Sequence, residues 1–438
     1  MTSILWDSRF LNEFKQELHH NPSIQFWEED VNGDVMDFKS THYQKMLMKF
    51  FPALGVKNLQ LGTTDKGRPT STLVFTRGNR VEQIDPQTLK QVCFRLFNLM
   101  GERGTQIRKN FYKEKVFNKD ELSLIPDLEG KKVFKDNVLS AYRFFQNGFV
   151  EITSNGVSPL KSYDEIPEDY VIWNSSVIPK DYEDTITKEV LEHKLSNIIA
   201  NGIHPETGDL IYQKNDRVKL YQEFKDKVES FEGENPDTHF KDFVENLSRD
   251  EEGDIDKNCL ERLEIAIGYL CHRYNTANKR QYVLLVDRFY DGVEKDVANG
   301  GNGKSLLINT LGCLMNLTIL NGKEIKKNSS SFKLAEVTTA TEIVHFDDAH
   351  SKFDGDRLNP LVTGNFHIER KYENPFSIPS QDAPKIAITS NFPIEGKGNT
   401  YKRRQFICEV GHYYRLQDEN FGLTPRELHG CKDFPLPN

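Results

Sequence analysis

VANGGNGKSLL, at residues 297–307, is the stretch that decides the fold of this 438-residue chain. It matches the phosphate-loop pattern G-x-x-x-x-G-K-[ST] at every position but the first, where Ala298 stands in place of glycine. The adjacent Asn299-Gly300-Gly301 can supply the bend that the missing glycine would provide. The alternative is a glycine-rich surface turn, which the predicted strand before the loop and the helix after it disfavour.

The residue types of the loop predict its chemistry. Glycines allow the backbone to approach phosphates closely and to point several N–H groups at them. Lys304 is predicted to contact the β and γ phosphates of ATP, and the Ser305 hydroxyl to ligate Mg²⁺. The predicted nucleotide-binding residues are Gly300, Gly301, Asn302, Gly303, Lys304 and Ser305.

The segments around the loop alternate between buried strands and helices. YVLLV (282–286), EIVHFDD (342–348) and KIAITSN (385–391) predict strands, and GKSLLINTLGCLM predicts a helix. Strands that alternate with helices indicate a parallel α/β sheet. Residues 287–298, between the first strand and the loop, form a longer connection than expected, and their length has no evident physical reason.

Three polar motifs follow the loop. Asp347 is predicted to hold Mg²⁺ through water, and Asp348 to polarise the water that attacks the γ-phosphate. Asn391, at the carboxyl end of its strand, is predicted to hydrogen-bond the γ-phosphate or that water. Arg403 or Arg404 is predicted to stabilise the charge on the departing phosphate. The alternatives are a polar turn, an ordinary strand-ending asparagine and a basic pair on the surface.

The composition and the pattern of predicted secondary structure change along the sequence and predict three domains. Residues 1–178 read as a mixed α+β domain, residues 179–280 as a helical domain for oligomerisation, and residues 281–438 as the nucleotide-binding domain. The main local signals in the first two domains are a helical stripe (Phe10, Leu11, Phe14, Leu18), a hairpin at Gly78-Asn79, a helix that starts at Asp85-Pro86, a meander (142–160), and two amphipathic helices (185–202 and 258–274).

Composition narrows the class of protein. No apolar run is long enough to span a bilayer and no secretion signal is present, so we expect a cytoplasmic protein that does not associate with a membrane. The net charge of −9 argues against a surface that is basic throughout, but a nucleic-acid motor needs positive charge only where it contacts its substrate. Six cysteines without C-x-x-C spacing predict reduced thiols and no zinc site.

The order of phosphate loop, Asp-Asp strand, strand ending in Asn and Arg-Arg pair resembles superfamily 3 helicases, which are AAA+ P-loop NTPases of viruses, phages and mobile elements. The sequence is most similar to the helicase part of phage, plasmid and poxvirus primase–helicases, whose loop commonly reads G-G-N-G-K-S, as at 300–305. LNPLVTGNFHIERKYENPFSIP (358–379) resembles an additional motif of that family, with Asn365 where an acid is usual. The likeness covers roughly residues 240–415.

The resemblance implies a hexameric ring with ATP bound between subunits. Lys304, Ser305, Asp347, Asp348 and Asn391 would then act within one subunit, and Arg403 or Arg404 would reach the site of its neighbour. The additional motif would form a pore hairpin that contacts DNA phosphates through Arg370 and Lys371, and more weakly through His367. The implied partners are single-stranded or forked DNA, further copies of the chain in a homo-hexamer, and primase or other replication proteins. For a phage-encoded chain the location would be the host cytoplasm.

Two other functions remain open on the sequence. The first is an AAA+ replication initiator or loader that uses ATP as a switch and does not unwind DNA by itself. The second is a packaging or partition ATPase, which the pore-hairpin motif disfavours. Residues 1–178 match no enzymatic motif and show no acidic triad of a primase. Family members usually continue beyond the equivalent of RRQFICEVGHYYRL, so we expect either a truncated chain or one that lacks a C-terminal DNA-binding part.

Overall fold

The structure is a computed structural model, and it divides the chain into two compact units. The first unit comprises Met1–Phe134 with Ser162–Val177, and the second comprises Lys135–Lys161 with Ile178–Asn438. The residues that the structure describes are 8–63, 69–111, 117–182, 218–222, 225, 239–250, 252–276, 280–288, 301–324, 334–350, 353, 355, 358–369, 376–392, 394 and 403–414. The predicted helix at 185–202 lies outside the described residues, as does Gly300.

The elements are numbered in chain order within the described residues. The strands are β1 (Val56–Thr63), β2 (Pro69–Arg77), β3 (Arg80–Gln83), β4 (Lys132–Val133), β5 (Ala141–Phe145), β6 (Gly148–Thr153), β7 (Gly156–Val157), β8 (Tyr170–Trp173), β9 (Tyr282–Asp287), β10 (Leu317–Asn321), β11 (Ile343–Ala349), β12 (Phe366–Ile368), β13 (Phe376–Ile378), β14 (Lys385–Ser390) and β15 (Gln405–Val410). The α-helices are α1 (Ser8–His20), α2 (Ser40–Lys45), α3 (Phe51–Ala53), α4 (Pro86–Leu99), α5 (Gly101–Phe111), α6 (Lys119–Leu122), α7 (His239–Leu247), α8 (Lys257–Cys271), α9 (Lys304–Leu311) and α10 (Leu358–Thr363), and a π-helical turn (Met46–Phe50) follows α2.

The first unit mixes helices with one sheet of order β1-β2-β3-β8-β4. The predicted hairpin at Gly78-Asn79 is confirmed, since β2 and β3 pair antiparallel. The start of α4 is confirmed as well: Asp85 caps it by accepting hydrogen bonds from the backbone N–H groups of Gln87 and Thr88 at 2.8 and 2.9 Å. The buried faces of α1 and α4 pack into one core with Phe75 of the sheet.

The second unit is built on a parallel sheet of order β10-β11-β14-β9-β15. All four strand pairs are parallel, which confirms the predicted sheet and adds two edge strands that were not predicted. Alternate residues of β9 enter two different cores, with Leu284 on one face and Leu285 on the other. Because both faces are covered, the strand reads as a continuous apolar run. The result is a mixed α/β fold with a five-stranded parallel sheet.

The helices α7 and α8 share a core with this sheet. Leu247 of α7 and Leu263 of α8 are buried in the same cluster as Val283 of β9 and Leu307 of α9. Sequence texture predicted a separate helical domain at 179–280. The described helices of that range pack on the nucleotide-binding sheet, and most of the remaining range lies outside the described residues.

The meander β5–β7 belongs to the second unit, although the predicted boundary at residue 178 assigns it to the N-terminal domain. Its two Asn-Gly turns are confirmed by the antiparallel pairs β5–β6 and β6–β7. A buried ion pair explains its place: Arg273, just after α8, lies 2.8 Å from Asp136 and 2.9 Å from Glu342. Burial alone would raise the pKa of Asp136, but Arg273 and Arg143 hold the pKa below its usual value.

Two further expectations concern membranes and thiols. No helix among the described residues is long and apolar enough to cross a bilayer. The described cysteines, Cys93, Cys259, Cys271, Cys313 and Cys408, are free thiols.

Removing Arg273 should destabilise the second unit. In Arg273→Met the buried carboxylate of Asp136 loses its main counterion, and breaking a buried pair from one side typically costs about 3–5 kcal/mol. We expect a loss of that size in the free energy of unfolding, measured by urea titration with circular dichroism. Because the folded pKa of Asp136 lies below its ordinary value of 3.8, the difference should be present at neutral pH and shrink as the pH falls through the folded value.

Lys161→Met is the matched control for this substitution. Lys161 lies 2.7 Å from Glu151, and both side chains are roughly a quarter to a third exposed (31% and 26%). Exposed pairs contribute about 0–1 kcal/mol, so this variant should unfold close to the parent. Equal destabilisation by both substitutions would show that Arg273 does not hold the meander.

Candidate nucleotide-binding site

The carboxyl ends of the parallel strands bring the predicted site together at one edge of the sheet. β9 ends at Asp287, β11 at Ala349 just after the two predicted carboxylates, and β14 at Ser390 just before Asn391. The helix α9 begins at this edge with Lys304. Ligands of parallel α/β sheets bind at this edge, and the loop from Gly301 to Lys304 lies there.

The described part of the loop needs glycine at two positions. Gly301 and Gly303 have φ angles of +112° and +89°, which L side chains rarely adopt. A Cβ on Gly303 would also lie 3.1 Å from side-chain atoms of Leu247 and Phe243, so these side chains of α7 would have to shift by a few tenths of an ångström to admit one. Both glycines therefore serve the turn, and Gly303 also allows the loop to pack closely on α7.

Lys304 and Asn302 share a buried acceptor, Asp287. The Lys304 ammonium pairs with Asp287 Oδ1, and Asn302 Nδ2 donates to the same oxygen at 2.6 Å. All three side chains are almost fully buried, and Asp287 Oδ2 has no hydrogen-bond partner among the described residues. Sequence analysis missed Asp287. The signal was a charged residue at the end of an apolar strand, directly after YVLLV.

The Asn302 side chain ties the loop to two strand ends. Its Nδ2 also lies 3.0 Å from His412 Nδ1, two residues beyond β15. His412 Nε2 lies 2.7 Å from the Arg288 carbonyl oxygen, so that nitrogen carries a proton and Nδ1 accepts from Asn302. Because the Asn302 side-chain amide already donates hydrogen bonds within the protein, this residue can bind a phosphate only through its backbone N–H.

Ser305 and Asp347, the two predicted Mg²⁺ ligands, are in direct contact. Ser305 Oγ donates to Asp347 Oδ1 at 2.6 Å, and Thr389 Oγ1 of β14 donates to the same oxygen at 2.8 Å. Burial alone would raise the pKa of Asp347, but these hydrogen bonds outweigh it and hold the pKa below its usual value. The site therefore keeps a carboxylate ionised beside the start of α9.

Asp348 occupies a bulge in β11. Between Phe346 and Ala349 the register with β14 shifts, so Asp347 and Asp348 together stand opposite Thr389. Asp348 has φ +52° and is the one non-glycine residue with positive φ in the described part of the chain. Its N–H donates to Thr389 Oγ1 at 3.2 Å, and its half-exposed carboxylate pairs with Lys323. This ion pair raises the pKa of Lys323.

His345 completes the support of Asp347 from inside the sheet. It is fully buried, with Nε2 3.1 Å from Thr389 Oγ1 and Nδ1 3.1 Å from Asn309 Oδ1 of α9. Burial lowers the pKa of His345 to about 4, although the Asp347 carboxylate favours its charged form. The imidazole is therefore neutral at pH 7. Sequence analysis missed Thr389 and His345 as site residues, although both lie inside the quoted strands.

The arginine pair lies at the opposite edge of the sheet, where the parallel strands begin. Arg403 and Arg404 directly precede β15, whose register runs from Gln405 opposite Tyr282 to Val410 opposite Asp287. The six-residue rise from Arg404 to Val410 is about 20 Å at the usual strand spacing. The structure therefore does not bring Arg403 or Arg404 to the Lys304 site of the same chain. Asn391, half-buried, does lie at the edge that carries the loop.

The additional motif folds as a helix and a hairpin. β12 and β13 pair antiparallel, and exposed His367 of β12 lies 2.6 Å from the Ser377 hydroxyl. Arg370 and Lys371 lie outside the described residues. Asn365, at the position where the family has an acid, accepts a hydrogen bond from the Ser380 N–H at 3.0 Å. The Arg280 guanidinium donates to carbonyls at the end of α10 and so fixes the base of the hairpin.

The parallel sheet and the loop define a fold consistent with P-loop NTPases. Residues 297–404 match the family described as "Family of unknown function (DUF5906)". Comparison with curated proteins gives no match.

Solved structures similar to this chain include the apo NrS-1 C terminal region, which is 14% identical with a TM-score of 0.31, the match covering 67% of this chain and 63% of that one. JCV Helicase is 14% identical with a TM-score of 0.26, covering 45% of this chain and 60% of that one. The active helicase SCCmec type IV Cch is 11% identical with a TM-score of 0.29, covering 81% of this chain and 54% of that one. The match spans less than two thirds of each of those chains. At these identities and TM-scores the similarity assigns no activity.

Removing the Thr389 hydroxyl should impair Mg²⁺-dependent steps and leave the loop intact. Thr389→Val keeps the shape of the side chain but removes the donor to Asp347 and the acceptor of the Asp348 N–H. Residues that orient metal ligands typically matter by about 10- to 100-fold in metal affinity or activity. We expect a loss of that size in kcat and in apparent Mg²⁺ affinity, with Mg²⁺-free nucleotide affinity within about twofold of the parent, as measured by ATP hydrolysis and nucleotide titration.

Thr389→Ser is the control because it restores the hydroxyl. It should recover most of the activity. If the serine variant is as impaired as the valine variant, packing of the methyl group matters and not the hydrogen bond to Asp347.

Proposed function

We propose that this chain is an ATP hydrolase of the AAA+ superfamily 3 type that works as a homo-hexameric DNA helicase in replication. The observation that carries the proposal is the convergence of Lys304, Ser305 and Asp347 at the carboxyl edge of a parallel sheet. The order of motifs along the sequence, with the additional hairpin motif, supports DNA as the substrate on which the hydrolysis acts.

The residues at the site suit Mg²⁺ bound together with a nucleotide. Mg²⁺ prefers oxygen ligands and usually keeps several waters while it binds one or two protein groups and the substrate phosphates. Ser305 Oγ and Asp347 Oδ1 are such oxygens. No group of three or more His, Cys, Asp or Glu side chains in the described ranges could hold a metal ion. When bound, Mg²⁺ would neutralise charge on the β and γ phosphates.

Nucleotide binding in this proposal exchanges one counterion of Lys304 for another. The ammonium leaves Asp287 and meets the β and γ phosphates, while Asn302 continues to donate to Asp287. The loop therefore keeps its anchor at the end of β9 as the lysine moves. The backbone N–H groups from Gly301 to Lys304 and the start of α9 provide further positive potential.

Asp348 and Asn391 would act on the attacking water. Asp348 lies in a bulge with a half-exposed carboxylate that contacts only an exposed cation, Lys323, among the ion pairs of the described residues. In the proposed reaction this carboxylate orients and polarises the water, and Asn391 hydrogen-bonds the γ-phosphate or the same water. Lys304 would balance the charge that develops on the phosphate oxygens, and Ser305 and Asp347 would hold the Mg²⁺ that supplies further positive charge there.

The position of the arginine pair supports a site shared between two chains. About 20 Å of strand, at the usual rise, separates Arg404 from the end of β15 beside the loop. An arginine at that edge can complete a neighbour's site in a ring, where one subunit presents its loop and the next presents the opposite edge of its sheet. Arg403 and Arg404 are therefore proposed as the residues that stabilise the transition state in trans.

The hairpin β12–β13 is the proposed DNA contact of the motor. Arg370 and Lys371 are proposed phosphate contacts, with His367 as a weaker one. Each contact contributes little alone, but six copies around one strand add through counterion release. An initiator or loader that uses ATP only as a switch is the alternative. The two differ in whether the isolated protein unwinds a forked duplex in an ATP-dependent and directional manner.

Hydrolysis should depend on the Asp348 carboxylate but nucleotide binding should not. Asp348→Asn keeps the size of the side chain and removes its ability to polarise water, so we expect turnover to fall by at least about 100-fold, the scale of general-base effects. ATP affinity should stay within about threefold of the parent. Lys304→Ala is the comparison, since it should weaken binding as well. ATP hydrolysis at the parental rate in both variants would refute the assignment of the site.

Mixing two inactive variants tests the shared site. An Arg404→Ala chain keeps an intact Lys304 loop, whereas a Lys304→Ala chain keeps intact arginines. Mixed rings should regain hydrolysis at each interface where an intact loop meets an intact arginine, and ATPase activity per parental chain should rise with protein concentration until rings form. The same mixture is made with Arg403→Ala. If mixed rings form but neither arginine variant is complemented, the arginines do not act in trans.

A further inference from the structure

A cleft on the first unit combines aromatic rings with a cation. Its volume is about 470 Å³, and its lining is Pro86, Gln87, Lys90, Gln91 and Phe94 of α4 with Phe117. Ligand pockets of proteins are typically about 300–1,000 Å³, so the cleft can hold a group of the size of a nucleotide. Nothing in the proposed motor uses it.

The Lys90 ammonium lies over both rings. Its ammonium is 5.6 Å from the centroid of Phe94 and 5.9 Å from that of Phe117. The guanidinium of Arg108, from α5, lies 5.3 Å from the centroid of Phe94. Both phenyl rings are partly buried and anchored by Phe111, with ring centroids at 6.4 and 5.2 Å. The anchored rings offer a stacking surface for a base, and the cations offer a counterion for a phosphate. The glutamine amides can form a hydrogen bond with the edge of a base.

The helix α4, which lines the cleft, and the adjacent α5 are together basic within an acidic chain. α4 and α5 contain five Lys and Arg residues and one acidic residue, Glu102, whereas the whole chain has a net charge of −9. The adjacent Asp85 carboxylate accepts hydrogen bonds from the backbone N–H groups at the start of α4. A local positive potential next to aromatic rings is the combination that binds single-stranded nucleic acids without sequence preference.

We propose that this cleft is a second binding site for single-stranded DNA, in which a base stacks on Phe94 and Phe117 and Lys90 contacts the adjoining phosphate. The choice of DNA rests on the proposed motor function. The site gives the first unit a role: it holds the strand on which the second unit acts, independently of the hairpin β12–β13.

The experiment measures binding of a fluorescein-labelled oligothymidylate to the full chain by fluorescence anisotropy, without nucleotide and at several salt concentrations. All variants are made in an Arg370→Ala/Lys371→Ala background, which removes the proposed hairpin contacts. Lys90→Gln should weaken binding and reduce the salt slope by about 0.7, the value for one single-strand phosphate contact. Phe94→Leu should weaken binding at least about fivefold, since one stacked base contributes this much or more, and leave the salt slope unchanged.

Lys132→Gln is the matched control. Lys132 is an exposed lysine on β4 that does not line the cleft, and its substitution changes the net charge by the same amount. It should bind like the background protein. Phe94 is half-buried, so thermal unfolding is used to check that the Phe94→Leu variant remains folded. Lys90→Gln tests the proposal independently, even if the Phe94 variant unfolds.

An affinity and a salt slope equal to those of the background protein in both cleft variants would overturn the proposal. Tighter binding of oligouridylate than of oligothymidylate would also overturn it, because the occupant would then be RNA. The outcome is separable from that of the motor. Loss of binding in the cleft variants supports the cleft even if the chain hydrolyses no ATP, and active hydrolysis with unaffected cleft variants rejects the cleft alone.

Discussion

Parallel pairing of β9, β11 and β14 is the constraint on which the site depends. In a parallel sheet every strand delivers its carboxyl end to the same edge. Residues far apart in sequence, such as Asp287, Asp347 and Thr389, are therefore neighbours around the start of α9. The same pairing keeps Arg403 and Arg404 away, because they precede a strand that runs in the same direction. One topological fact thus assembles most of the candidate nucleotide-binding site and leaves the arginine pair outside it.

Thr389 links the two adjacent residues Asp347 and Asp348 through its hydroxyl. A positive φ at a residue other than glycine costs of order 1–3 kcal/mol and persists when its surroundings hold it in place. At Asp348 the holding group is the Thr389 hydroxyl, which accepts from the Asp348 N–H and donates to Asp347. A single side chain therefore stabilises the bulge and orients the proposed Mg²⁺ ligand. Buried, neutral His345 supports this hydroxyl from within the sheet and adds no charge.

The elements with strong local signals were predictable, and the contacts between them were not. The apolar strands β9, β11 and β14 and the capped helix α4 lie where the sequence patterns place them. β15 was missed because QFICEV has no clear period, and its place beside β9 depends on a tertiary contact. Asp287 was missed for a similar reason: a carboxylate after an apolar strand predicts a turn, and only the fold shows that it meets Lys304. The place of the meander in the second unit could not be read from local patterns, because the ion pair between Asp136 and Arg273 joins residues more than a hundred positions apart.

An acidic protein can bind DNA when the contact surfaces are locally positive. Exposed charges farther apart than a Debye length, about 8 Å at physiological ionic strength, are largely screened. The acidic residues elsewhere in the chain therefore oppose binding little at a surface such as α4, which contains no acidic residue. A translocating motor also needs contacts that break in each cycle and tolerate any base. Single phosphate contacts and stacking on phenyl rings satisfy both demands, since they are individually weak and independent of sequence. Bidentate recognition of base edges would add discrimination of about 1–3 kcal/mol per pair and would hold the strand in place.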